Sequence, residues 1–276
     1  MSADPAQGPA SDDSPSALTP AGVPGRSDIA LTLERQPAGD ARGSFGRVFG
    51  TNPIAPAARA AFDRATGARR VARILDGLGP DWGVAHAVAL DGRTPDADHV
   101  AVGPPGVLVV TSEHHRVKNV FVAGHEVFVD REKTDLMART ESSADVVGRM
   151  LRAASTVDVP VTPVLVFVDP KRLVVREKPE RTRVFADLFL RRRLKRLPAT
   201  LAGEDLRAVQ TAAVTATTWG SPAPLLTAEQ LRRFDTLDRT ATKARRLKSF
   251  WMWAGAVVTL SAVLLIVQGV ALGIIG

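Results

Sequence analysis

The sequence predicts an α/β domain with a mixed sheet flanked by helices, followed by one C-terminal transmembrane helix. Between residues 56 and 220, apolar residues at helical spacing alternate with short apolar runs that have the two-residue period of strands. A nearly continuous apolar run at 163–168 is typical of a strand that is covered on both faces. Residues 249–276 contain no charged side chain.

Composition limits what the rest of the chain can do. Residues 1–55 are rich in Pro, Ala, Gly, Ser and Asp, and we interpret them as a disordered tail in which 28–34 could form a stray strand. Cysteine is absent from the 276 residues, which excludes a disulfide framework and a cysteine-ligated zinc site. The net charge of +7 is concentrated in residues 171–248, which contain 19 Lys and Arg against 8 Asp and Glu.

The domain begins with a helix and a strand. Val71, Ile74, Leu75 and Leu78 have the spacing of one buried helical face, which predicts a helix over 56–78 that ends before Gly79-Pro80. A first strand is predicted at 82–90.

Residues 96–129 read as four short strands, and the first two form a hairpin. Gly103-Pro104-Pro105-Gly106 is the turn, because proline presets the backbone and glycine tolerates the dihedrals of a reversal. Counting back from the turn places Asp98 opposite Thr111, and Glu113 then lies on the same face as Thr111.

The later elements follow the same two periods. The predicted helices and strands after the hairpins are a helix at 135–154, the buried strand at 163–168, shorter strands at 173–175 and 183–185, a helix capped by Asp187 with Leu190, Leu194 and Leu197 inward, and a helix at 204–217. The domain is expected to span 56–220.

The C-terminal part is predicted to be a linker, a basic helix and an anchor. Residues 221–224 form a stiff linker, and Thr227 with Gln230 forms a capping box that opens a basic juxtamembrane helix up to residue 248. The uncharged residues 249–276 are long enough to cross a hydrocarbon core of ~30 Å. Because cations precede this run and no charged side chain follows it, the domain is expected on the cytoplasmic side of the cell membrane.

Asp98 is the candidate catalytic residue. An acid on one strand that faces a second polar or acidic position is the skeleton of a metal-dependent phosphodiesterase site, in which two acidic side chains hold Mg²⁺ and a lysine positions water. Asp98 and Glu113 are therefore the candidate metal ligands, and Glu113 occupies the position where the lysine would be expected.

The hairpin region resembles a known family. Residues 98–107, followed by His114-His115 and a glycine-turned hairpin at Gly124, resemble the nuclease-related domain (NERD) family of the PD-(D/E)xK nuclease-like superfamily. The resemblance extends over about 67–219 and implies a nuclease-like fold. It also implies a glutamate where this chain has Ala68, and an acid or amide, then Thr-Lys, where this chain has Thr111-Ser112-Glu113. Of the expected acidic and lysine set, Asp98 alone matches.

Two other clusters invite functional interpretations. The histidines, His86, His99, His114, His115 and His125, could bind zinc, although scattered structural histidines explain them better. The cations of the helix after Asp187 could bind phosphates of nucleic acid or lipid, or form an ordinary solvated face. They are Arg191, Arg192, Arg193, Lys195 and Arg196.

Three functions remain open. The leading one is a membrane-anchored NERD-like protein that binds DNA, RNA or a protein partner, with catalysis weak or lost. The alternative is an active Mg²⁺-dependent nuclease that uses Asp98. The third is a scaffold that lies on anionic membrane lipid.

Overall fold

The computed structural model describes residues 22–37, 42–92, 96–114, 116, 118–220 and 225–271, without the side chains of 269–271. The predicted linker at 221–224 lies outside the described residues. The helices are α1 (Arg26–Arg35), α2 (Ser44–Val48), α3 (Arg59–Asp76), α4 (Leu136–Ser155), α5 (Asp187–Leu194), α6 (Gly203–Val214) and α7 (Ala228–Ala271). The strands are β1 (Gly83–Val88), β2 (Ala97–Gly103), β3 (Gly106–His114), β4 (Asn119–Ala123), β5 (Glu126–Val129), β6 (Glu132–Thr134), β7 (Val161–Val168), β8 (Arg172–Glu177) and β9 (Arg183–Ala186).

A mixed five-stranded sheet is the centre of the domain. Its order is β1-β2-β3-β7-β9, with antiparallel pairing from β1 to β3 and parallel pairing from β3 to β9. A second sheet, in the order β6-β5-β4-β8, contains the hairpin of β4 and β5. The predicted mixed α/β architecture is confirmed, but the four consecutive strands of 96–129 belong to two sheets.

Helices cover both faces of the central sheet. Val100, Val102, Val107 and Val109 face α4 and α6, whereas alternate residues such as Leu108 and Val110 face α3 and α5. This alternation follows from the two-residue period of strands. The central strands are buried on both sides, so their sequences are almost continuously apolar.

The β2–β3 hairpin has the register that the turn residues predict. Gly103 pairs with Gly106, and His99 pairs with Val110. Gly106 has a φ of 97°, a left-handed conformation that favours glycine. The same register brings the start of β2 alongside the end of β3, where Asp98 and Glu113 lie.

The N-terminal region is not all a disordered tail. Residues 26–35 form α1, and neither a tail nor a strand describes them. Ile29 and Leu33 are one helical turn apart and both are buried, together with Phe62 of α3 and Phe234 of α7. The alternation at 28–34 suggested a strand, but tertiary burial of the i, i+4 pair favours a helix.

The helix after residue 227 packs on the domain before it becomes apolar. Thr227 and Gln230 form the predicted capping box. The Thr227 N–H donates to Gln230 Oε1 at 2.8 Å, and the Gln230 N–H donates to Thr227 Oγ1 at 3.1 Å. Phe234, Ala241 and Ala244 are buried against the domain. Residues 228–248 are therefore helical, as predicted for the basic juxtamembrane helix, and their packing against the domain makes them part of the fold.

The last part of α7 is a candidate membrane span. The helix is long and apolar enough to cross a bilayer, and its apolar window is not buried within the protein. Large apolar side chains such as Val258, Leu260 and Leu265 are exposed along it. Because water does not favour such a surface, α7 is suited to association with a membrane.

Asp187 does not cap α5 as the sequence suggested. Ala186 is the N-cap residue and makes no side-chain capping bond. Asp187 is buried in the first turn of α5 and forms an ion pair with Arg70 of α3 at 2.6 Å. The other predicted feature of α5 is confirmed, because Leu190 and Leu194 are buried and Leu197 packs beside them.

We expect Phe234→Ala to reduce the free energy of unfolding of a fragment covering 22–248 by about 3–5 kcal/mol, because it removes a fully buried aromatic ring. Urea denaturation followed by circular dichroism measures the change. Leu225→Ala is the control, since Leu225 is 80% exposed. Equal stability of fragments 22–248 and 56–220 would contradict the packing of α1 and α7 on the domain.

Candidate functional site

A polar cavity of about 300 Å³ lies where the start of β2 meets the end of β3. The sheet contributes Asp98, Thr111 and Glu113 to its walls, and α1 closes one side. Arginines from three helices complete the walls. They are Arg26 of α1, Arg64 of α3 and Arg139 of α4. The sequence predicted the strand residues of this site, but not its arginines.

Asp98 lines the cavity and is half-buried. Its Oδ2 atom accepts hydrogen bonds from the backbone N–H of Ser112 at 2.7 Å and from the Ser112 hydroxyl at 2.8 Å. Thr111, the residue expected to meet Asp98, makes neither bond. Burial raises the pKa of Asp98 to about 6, although the two bonds from Ser112 act in the opposite direction.

Glu113 is the second acid of β2 and β3 in the cavity, and it is buried. Burial, followed by the nearby charge of Asp98, raises the pKa of Glu113 to about 7. The Arg139 guanidinium lies 4.0 Å from Glu113 Oε1 and partly offsets these effects. Two acids that disfavour each other's charge therefore share this cavity with an arginine.

The first turn of α1 brings further charges to the site. Asp28 pairs with Arg64 at 2.7 Å, and Arg26 pairs with Asp96 at 2.8 Å. Arg26 is almost fully buried, and within the described residues its Nε has no hydrogen-bond partner. Burial raises the pKa of Asp28, and the Arg64 partner lowers it in part.

Sequence reasoning missed these residues because it placed α1 in a disordered tail. The signal that could have found them is the pair Ile29 and Leu33, which places one apolar face on a helix. Asp28 and Arg26 then belong to its first turn.

Ala68 lies beneath the start of α1. Ala68 is buried, and a Cβ atom added to Gly25 would lie 3.3 Å from the Ala68 Cβ and 3.0 Å from the Ala65 Cα. Gly25 also has a φ of 69°, which favours glycine. The position that would carry a glutamate in the resembled family therefore lies where the start of α1 closely approaches α3.

The residues of the cavity do not fit a Mg²⁺ site. Hard divalent cations require convergent charged oxygens, whereas the acids that line this cavity have other partners. Asp98 Oδ2 accepts two bonds from Ser112, Glu113 faces Arg139, and Asp28 and Asp96 pair with Arg64 and Arg26. Ala68 supplies no oxygen. Among the described residues, no group of three or more His, Cys, Asp or Glu side chains is arranged to hold a metal ion.

The described histidines do not converge on one site, although His86 and His99 are in contact. His86 Nδ1 and His99 Nδ1 are 2.9 Å apart, and His86 Nε2 is 3.0 Å from Asp76 Oδ1. His114 instead contacts the Asp63 carbonyl oxygen at 2.8 Å, and His125 lies near Glu141. His115 lies outside the described residues. Burial lowers the pKa of His99 well below its usual value, so it stays neutral in the core.

The basic face of α5 lies outside the cavity. The cations expected there are all exposed: Arg191, Arg192, Arg193, Lys195 and Arg196. Leu188 and Phe189 are also exposed at the start of the same helix, at 76% and 54%. This face thus combines like charges with two apolar side chains.

The mixed sheet, its flanking helices and the acid at the β2–β3 hairpin define a nuclease-like α/β domain. Residues 63–168 match the family model of the nuclease-related domain, NERD, and this part of the chain is a NERD domain. The match runs from α3 to the end of β7, a shorter range than the 67–219 suggested by the resemblance. No curated protein and no solved structure matches the chain.

We expect Glu113→Gln to raise the melting temperature at pH 8 and to have little effect at pH 4. A carboxyl group whose pKa is raised on folding binds its proton more tightly in the folded state. Its contribution to stability therefore falls as pH rises from its usual value of 4.5 to about 7, by an amount on the order of 3 kcal/mol.

Differential scanning fluorimetry across this pH range measures the effect on fragment 22–248. Glu132→Gln removes an exposed glutamate of β6 and controls for the loss of one negative charge. Parallel pH profiles for the wild-type protein and Glu113→Gln would contradict a buried Glu113 with a raised pKa.

Proposed function

We propose that this protein is a membrane-anchored NERD-domain protein that binds nucleic acid and has weak or no hydrolytic activity. The observation that supports the proposal is the composition of the cavity at Asp98. It contains arginine–carboxylate pairs and two acids with raised pKa values, where a metal-dependent nuclease needs charged oxygens and a lysine.

Two positions account for the loss of catalysis. Ala68 has no oxygen for a metal, and its burial beneath α1 leaves no room for a longer side chain without displacement of that helix. Glu113 stands at the position of the lysine and puts a carboxyl group where a cation would orient water. Asp98 by itself is not a complete site.

The exposed cations of α5 support binding. Lys and Arg neutralise phosphates and release counterions from nucleic acid, so a single-sign cluster favours a polyanionic ligand. Most exposed helices mix charges of both signs, whereas residues 191–196 include five cations and no acid.

The end of α7 supports the membrane anchor. We propose a single crossing with the domain in the cytoplasm, because Lys243, Arg245, Arg246 and Lys248 precede the apolar run. Lipid burial of this run is not screened by salt. Digestion of the domain by a protease added to intact cells would contradict this orientation.

A scaffold on the membrane surface is the second candidate. Leu188 and Phe189 are exposed beside the cations of α5, and apolar side chains among cations are typical of surfaces that contact anionic lipid. In this case the basic face binds the bilayer and the domain presents another surface to a protein partner.

Fragment 22–248 is expected to cleave neither DNA nor RNA with Mg²⁺ or Mn²⁺, because the cavity lacks a metal-binding oxygen set. Gel electrophoresis of single- and double-stranded substrates measures cleavage, and Asp98→Ala should give the same background as the wild-type protein. Cleavage that disappears in Asp98→Ala would show that the alternative, an active Mg²⁺-dependent nuclease, is correct.

We expect the variant Arg191→Gln, Arg192→Gln, Lys195→Gln to bind DNA more weakly and with a smaller salt dependence. If each of the three cations contacts one phosphate, the slope of log affinity against log salt falls by about 2–3. Fluorescence anisotropy at several salt concentrations measures the slope.

The matched control is Arg172→Gln, Arg176→Gln, Lys178→Gln. It removes the same charges from exposed positions on and next to β8. An equal loss of DNA affinity in both variants would mean that the overall charge of the fragment, and not the basic face of α5, attracts DNA. Absence of DNA binding by the wild-type fragment, together with binding to anionic vesicles, would favour the scaffold.

A further inference from the structure

A basic groove lies at the point where α7 leaves the domain. The groove has a volume of about 470 Å³. Its walls are residues 49–52, Arg59 of α3, and Arg245 and Lys248 of α7. The uncharged run of α7 starts at Ser249, so the groove is adjacent to the part of the helix that is suited to the membrane.

Gly50 makes this groove possible. Its φ is 72°, and a Cβ atom at this position would overlap the carbonyl oxygen of Ala244 and lie 2.6 Å from the backbone N of Lys248. A side chain here would push residues 49–52 away from α7. The loop and the helix therefore form a closely spaced pair with the groove between them.

The groove is cationic, and no acid lies in its walls. Arg59 Nε donates to the Ile54 carbonyl oxygen at 3.3 Å, and Arg245 donates to the Thr242 hydroxyl at 2.8 Å. Within the described residues, none of Arg59, Arg245 and Lys248 forms an ion pair, in contrast to the arginines of the Asp98 cavity. Arginine forks and a lysine are the donors that recognise phosphate.

Aromatic side chains adjoin the groove on the side of the apolar run. Phe49 is stacked on Phe45 at 5.0 Å between ring centroids and lies 5.2 Å from Trp251. The Trp251 indole N–H donates to the Val48 carbonyl oxygen at 2.8 Å, which fixes α2 against α7. Phe45 is 79% exposed. Tryptophan and phenylalanine side chains beside a membrane span favour the boundary between headgroups and acyl chains.

We propose that this groove binds the phosphate of an anionic phospholipid, with Phe45, Phe49 and Trp251 beside its acyl chains. The inference depends on the proposed membrane anchor. It goes beyond that anchor by assigning a specific lipid site and an interfacial role to α2. A basic pocket next to a span recognises anionic headgroups by the same physics as juxtamembrane polybasic segments.

Position favours lipid over nucleic acid as the source of the phosphate. The groove directly precedes the apolar run, and its aromatic side is exposed. A polynucleotide in the groove would have to lie against the anionic surface of the bilayer, which repels it. A lipid phosphate reaches the groove without leaving the membrane.

The experiment uses the full-length protein in phosphatidylcholine vesicles that contain a minor fraction of phosphatidylglycerol. Brominated acyl chains quench tryptophans in or near the bilayer. Trp253→Phe leaves Trp251, which adjoins the groove, as the one tryptophan of residues 249–276. At equal bromine content, we expect stronger quenching when bromine is on phosphatidylglycerol than when it is on phosphatidylcholine.

The groove variant is Arg59→Gln, Arg245→Gln, Lys248→Gln, made in the Trp253→Phe protein. We expect the two brominated lipids to quench the tryptophan fluorescence of this variant equally. The matched control, Arg239→Gln, Lys243→Gln, Arg246→Gln, removes the same charges from exposed positions of α7 outside the groove walls and should keep the preference. The single variant Arg245→Gln should reduce the preference and is used if the triple variant does not fold.

Three outcomes would overturn the lipid site. The first is equal quenching by the two brominated lipids in the Trp253→Phe protein. The second is an equal loss of the preference for phosphatidylglycerol in the groove variant and in the control. The third is loss of this preference when sodium phosphate is added at constant ionic strength. The last outcome would assign the groove to free phosphate.

Flotation of the vesicles after a carbonate wash tests the anchor separately. Protein that does not float shows that the anchor is wrong, and the lipid site with it. Protein that floats but quenches equally with both lipids refutes the lipid site alone.

Discussion

Strand β3 is paired on both edges and covered on both faces, and the remaining elements depend on this arrangement. It is antiparallel to β2 and parallel to β7. The parallel pairing requires a crossover, which α4 supplies on one face of the sheet. The opposite face is covered by α3 and α5. Helix α3 in turn buries Phe62 against α1 and α7. The cavity at Asp98 forms where β3 ends and α1 begins.

Local patterns predicted most of the fold because they match the tertiary contacts. The turn at 103–106 set the hairpin register, and Thr227 with Gln230 set the start of α7. The errors lie where distant contacts decide the conformation. The sequence 28–34 alternates like a strand, but Ile29 and Leu33 are buried together with Phe234, more than 190 residues away in the chain. Asp187 looked like a helix cap, but its carboxylate pairs with Arg70 of α3.

The same limit applies to the candidate site. Strand alternation was enough to place Asp98, Thr111 and Glu113 at one end of the sheet. It could not reveal Arg26 and Asp28, because they reach the cavity through α1, nor the role of Gly25 above Ala68. The alanine at position 68 and the packing of α1 over it are consistent with each other. A buried acid at position 68 would need both space and a counter-charge, and α1 takes that space for its own pairs with Asp96 and Arg64.

Helix α7 runs without interruption from the folded core to its apolar end. Its 44 residues form one helix, which is ~66 Å long at ~1.5 Å per residue. Phe234 near one end is fixed in the core, and the apolar residues near the other end are suited to lipid. A continuous helix of this length links the orientation of the domain to that of the apolar end. If the apolar end is embedded in a bilayer, a change in bilayer thickness that alters the tilt of this end also turns the domain, and with it the basic face of α5.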